Sequence, residues 1–135
     1  MKTLLKLEEA AQFLICLVLL TLFNAPWWNY PLLLIGPDVG MLGYLVSPRV
    51  GAFSYNLLHH KGVAIAFLLI ALPQIFGVWH PISWWMNELD LFIAGIILYG
   101  HASMDRIFGY GLKFGDNFHH THLGWIGKMK DQERS

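Results

Sequence analysis

The sequence predicts an all-α fold, an integral membrane four-helix bundle with both termini cytoplasmic. Three observations carry that prediction. Of 135 residues, 56% are hydrophobic and only 13% charged, about half the charged fraction of a soluble domain. Four apolar segments follow one another, at about 7–24, 31–46, 52–78 and 88–110, and ~20 residues suffice for a spanning helix. When these segments alternate across a bilayer, all nine lysines and arginines fall at or near one side, the cytoplasmic one by the positive-inside bias.

The first segment follows a short polar start with Lys2, Lys6, Glu8 and Glu9. It reads as a retained helix, because Asn24, Ala25, Pro26, Trp27 and Trp28 follow it in place of a small-x-small cleavage site. Trp27, Trp28 and Tyr30 then mark a headgroup-level turn. Pro31 suits the first turn of the second segment, which is short, interrupted by Gly36 and Pro37, and carries Asp38. Ser47, Pro48 and Gly51 make a break. The third segment is long, with Asn56, His59, His60 and Lys61 near its start and Pro73 as an expected kink or stop. An aromatic outer turn holds Trp79, His80, Trp84 and Trp85. The fourth segment carries His101, Asp105 and Arg106. A polar tail, 111–135, then supplies Lys113, His119, His120 and His122. Residues 1–135 thus read as a single transmembrane domain of a multi-pass bacterial inner-membrane protein.

Several classes are excluded. The formal net charge is zero, so no general basic field exists for nucleic acid. A lone cysteine, Cys16, allows no disulfide within the chain and no cysteine-rich metal site. The expected partners are membrane lipid and, because four helices leave much apolar surface, a second copy of the chain in a homodimer.

The polar groups carry the functional reading. Asp38, His59, His101 and Asp105 lie ~7–14 Å beneath the cytoplasmic end of their segments, counted at 1.5 Å per residue. Ionisable side chains at membrane depth are costly and mark sites. Imidazole and carboxylate together suit a divalent transition metal, zinc above all. The candidate metal ligands are Asp38, His59, His101, Asp105 and His122. Asp38 or Asp105, whichever does not ligate, is the candidate catalytic base. Asn56, three residues before His59, is a candidate to orient that ring or a substrate. Arg106 and Lys113 are candidates for an anionic head group. The cofactor expected is a divalent metal, zinc by its donor set, and the expected function is metal-dependent hydrolysis of lipid-like substrates at the cytoplasmic face. The alternatives are metal or proton transport, haem ligation by His59 and His101, and a structural bundle with no chemistry.

Two blocks of the chain, PDVGMLGYLVSPRVGAFSYNLLHH and HASMDRIFGYGLKFGDNFHHTHLGWIG, resemble the signatures of a bacterial membrane family, domain-of-unknown-function family 4260. The matching positions are Asp38, Asn56, His59, His101, Asp105, Arg106, Lys113 and His122. The resemblance favours His59 over His60, and His122 over His119 and His120. Ser47 stands where that family tends to have glycine. The family name carries no activity. A looser likeness, to the alkaline ceramidase and adiponectin-receptor hydrolases, lies in drawing His and Asp from several helices around zinc; their spacing and helix number differ.

Overall fold

The computed structural model describes residues 1–78 and 87–127. The aromatic turn around Trp79–Trp85 and the charged end of the tail lie outside the described residues. Within them the all-α expectation holds. The elements are α1 (Lys2–Leu22), α2 (Asn29–Ile35), a 3-10 helix (Gly36–Leu45), α3 (Pro48–His59), α4 (Lys61–Ile75) and α5 (Glu88–Phe108). A two-stranded antiparallel hairpin, β1 (His120–Thr121) and β2 (Gly124–Trp125), completes the fold.

Helix α5 is the axis, packed against α1, α2, α3 and α4. Asn87 caps its start by accepting from the Leu89 N–H at 3.0 Å. Gly109 ends it at φ 90°, a left-handed turn suited to glycine. One half of the interior is apolar, built from Cys16, Leu20, Leu33, Ala71, Phe92 and Ile96. The other half is polar, and His59 and His101 are buried there.

Two of the expected helices differ. The second segment is α only as far as Ile35, then 3-10. The reason is written with a period of three, the 3-10 repeat. Pro37, Gly40 and Gly43 form one face, laid on α3. A Cβ on Gly40 would stand 2.8 Å from the Ser54 carbonyl oxygen, and one on Gly43 2.9 Å from that of Val50. Val39, Leu42 and Leu45 form a second face, apolar and exposed. Asp38, Met41 and Tyr44 form the third, half-buried.

The third segment, expected as one helix over 52–78, is two. Ser47 accepts the Val50 N–H at 3.1 Å and Pro48 takes the first turn, so α3 starts early. At His60 the backbone turns extended and the ring accepts the Gly62 N–H at 3.0 Å, capping α4. The two helices are bent by 44° there. Pro73 lies inside α4, not at a stop. Among the described residues, α5 is long and apolar enough to cross a membrane, and the bent α3–α4 pair would make a second such span.

The tail is folded. Lys113 bridges Thr121, and both are buried. The His120 ring stacks on Trp125 at 4.5 Å and meets the Asp116 carboxylate at 2.7 Å. That hydrogen bond holds the Asp116 pKa below the usual carboxylate range.

Candidate metal centre

Four of the five expected ligands converge. Asp38 from the 3-10 helix, His59 from the end of α3, and His101 and Asp105 from one face of α5 bring ligand atoms within 4.8 Å of one another. The His59 and His101 Nε2 atoms are 3.0 Å apart. Asp38 Oδ1 is 3.4 Å from the first and 3.3 Å from the second. The Asp105 carboxylate lies 3.4 Å from His59 Nε2 and 3.7 Å from His101 Nε2. Zinc bonds of ~2.0–2.1 Å in a tetrahedron require ligand–ligand edges of about 3.3 Å. The separations that involve the two Nε2 atoms, 3.0 to 3.7 Å, bracket that length.

The ring tautomers follow from the partners. His59 Nδ1 lies 2.8 Å from the Tyr55 carbonyl oxygen, and His101 Nδ1 2.9 Å from that of Leu33. A carbonyl only accepts, so each Nδ1 carries its proton and donates. In neutral rings both Nε2 atoms therefore present lone pairs to a common point. Two such lone pairs 3.0 Å apart, beside two carboxylates, repel unless a metal ion or a shared proton lies between them. The Leu33 carbonyl is free for this role because its ordinary helical donor would be residue 37, and Pro37 has no N–H.

Around the ligands lies a supporting layer. The Tyr55 hydroxyl donates to Asp105 Oδ2 at 2.7 Å, and its ring stacks on His59 at 3.7 Å. Partners of this kind fix ligand orientation. Tyr55→Phe is therefore expected to lower metal affinity about 10- to 100-fold, read by competition with a chromogenic chelator. The Lys113 ammonium sits 4.8 Å from the Tyr55 ring and 3.8 Å from that of Phe118, donating to the Phe118 carbonyl at 2.9 Å. Burial pushes its pKa down, while Asp105 and Asp38 act to raise it. Asp38, 38% exposed, is the open side of the group, whereas Asp105 is 14% and His101 0% exposed.

The other expected site residues lie elsewhere. His122 is not among the four that converge; its Nδ1 accepts the Leu112 N–H at 2.8 Å and steadies the tail. Asn56 spends its amide on the backbone of Lys113, donating to its carbonyl at 2.8 Å and accepting its N–H at 2.7 Å. Asn56→Ala is expected to cost about 1–3 kcal/mol of local stability, seen as faster proteolysis within 111–127. Arg106 pairs with Glu9 at 3.6 Å on another side of α5. Tyr55 and the Leu33 carbonyl were missed from sequence; Pro37, four residues after Leu33, was the signal for the second.

Fold and site together define a mostly helical protein with a His2Asp2 group, its two histidines buried, that could hold a cation. The chain belongs to the family described as domain of unknown function (DUF4260), whose model matches residues 2–126. No curated protein and no solved structure matches it.

Proposed function

We propose that the chain is a four-crossing protein of the bacterial inner membrane that holds one divalent cation, zinc by its donor set, and hydrolyses lipid-like substrates at the cytoplasmic face. The observation that carries the metal is the pair of Nε2 atoms 3.0 Å apart beside two carboxylates, each ring held by a carbonyl behind it. The membrane reading is supported by the surface. Leu14, Val18, Leu42, Leu45, Phe53 and Leu69 are more than half exposed, an apolar extent that a soluble monomer rarely presents. It is also supported by length. Helices α1 and α5 each reach about 30 Å.

In this reading His59, His101 and Asp105 are the fixed ligands, and Asp38, the most exposed of the four, is the general base and also strengthens metal binding with its charge beside the ion. A divalent ion held there would activate water and polarise a carbonyl. The Lys113 ammonium supplies fixed positive charge beside the carboxylates. Arg106, engaged with Glu9, is removed from this role. Haem ligation fits poorly, since two Nε2 atoms 3.0 Å apart, with two carboxylates beside them, leave no slot for a porphyrin.

The test uses protein in lipid vesicles with fluorogenic ester- and amide-linked lipids. Hydrolysis is expected to stop on chelation, to return with zinc, and to fall about 10²- to 10⁴-fold in Asp38→Asn. Turnover that survives chelation, or a fully active Asp38→Asn, would rule the hydrolase out.

A further inference from the structure

A second polar cluster lies apart from the metal group, where α1, α4 and α5 meet. Lys61 bonds to both the Glu9 carboxylate and the Gln12 side-chain oxygen. Tyr99 donates to the same Gln12 oxygen at 3.0 Å, and Arg106 approaches Glu9 at 3.6 Å. Two cations thus share one carboxylate. Glu8, exposed one residue earlier, accepts only a long 3.4 Å contact from Gln12. Among the described residues, Arg106 has no ionic partner besides Glu9, so most of its five donors are uncommitted.

Directly above this cluster runs a groove of about 240 Å³. Ile15, Leu19, Leu68 and Ile96 line its length, with Gln12 and Tyr99 at its polar end. Ile15 is 57% exposed, so the groove opens sideways, towards the surrounding medium. On α5, Tyr99 and Arg106 are seven residues apart and share a face. His101 lies about 140° round the helix from Ile96 and from Arg106. The groove is therefore separate from the metal group.

An apolar slot whose polar end, Gln12 and Tyr99, adjoins Lys61 and, across Glu9, Arg106 matches one kind of molecule in its surroundings. We propose that this groove binds an anionic phospholipid, with an acyl chain along Ile15, Leu19, Leu68 and Ile96 and the phosphate on Lys61 and Arg106. The guanidinium supplies the fork that phosphate oxygens fit, and the ammonium a point charge beside it. Glu9 keeps both cations in place, and Lys61, Arg106 and Glu9 together carry one positive charge in excess. The proposal rests on the membrane reading above and not on the metal.

Native mass spectrometry of the full chain, extracted in neutral detergent, tests it. Phosphatidylglycerol, phosphatidylcholine and glycerol 1-phosphate are added separately. The wild type is expected to retain one phosphatidylglycerol in preference to phosphatidylcholine. Arg106→Gln should cut that preference about fivefold, the worth of one basic residue near an anionic surface. Ile15→Trp, which fills the open side without touching a charge, should reduce retention of both lipids, while circular dichroism and metal content stay as in the wild type. Equal retention of the two lipids overturns the proposal, as does an Arg106→Gln protein with undiminished preference. Glycerol 1-phosphate binding as tightly as the whole lipid overturns the acyl-chain half. A chain recovered from the soluble fraction without detergent overturns the membrane reading itself, before any lipid is added.

Discussion

His101→Ala is expected to abolish zinc binding and to remove every zinc-dependent gain in thermal stability. The ring is fully buried and is the hub of the group, in contact with His59, Asp38, Asp105 and the Leu33 carbonyl. Two losses add. At zinc a thousandfold above its dissociation constant, the folded state gains about 4 kcal/mol by mass action, which the variant forgoes. The Leu33 carbonyl also loses its donor, and Pro37 has no N–H to replace it, a further cost of about 1–3 kcal/mol. The measurement is the melting temperature in detergent with and without zinc. The wild type should rise with zinc and His101→Ala should not. His60→Ala should respond like the wild type, because that ring only caps α4.

Gly40→Ala is expected to damage the metal centre although Gly40 supplies no ligand, only a carbonyl that accepts from the Ser54 hydroxyl at 2.6 Å. An added Cβ would meet the Ser54 carbonyl oxygen at 2.8 Å and Tyr55 Cα at 3.0 Å. Both are backbone and neither can swing away. The 3-10 helix must lift from α3, at about 1–3 kcal/mol. Asp38 is two residues before Gly40 on the same rigid element and moves with it, while His59 and Tyr55 stay with α3. Metal affinity should fall about tenfold or more, comparable to losing an outer partner of a ligand. Val39→Ala, on the exposed face of the same helix, should leave affinity unchanged. Affinity equal in Gly40→Ala and wild type would show that Asp38 is not held by this packing.

The convergence of four of the candidate residues was legible because distance from the segment ends could be counted. Asp38, His59, His101 and Asp105 sit at similar distances from breaks that glycine, proline and charge mark in the sequence, and His101 and Asp105 share a helix face at i,i+4. What escaped was local. The 3-10 helix is encoded by small residues at Pro37, Gly40 and Gly43, a period of three that reads as loose helix packing when only 3.6 is sought. The break at His60 has no proline to announce it, only Gly62 two residues on; the His60 ring supplies the cap by accepting the Gly62 N–H. His122 was favoured over His119 and His120 by the family resemblance, yet hydrogen bonding to the Leu112 N–H holds it in the tail. Arg106 follows Asp105 in sequence, but a helix turns 100° per residue and delivers it to Glu9. Tyr55 could not be told from any other aromatic until the fold set its hydroxyl against Asp105.

X-ray absorption at the metal edge of purified protein tests the central claim most directly. The expected result is one divalent ion per chain, bound by two imidazole nitrogens and by carboxylate oxygen at about 2.0–2.1 Å. That signal should disappear in His59→Ala. A shell of water oxygens alone, or a shell unchanged in His59→Ala, would contradict it.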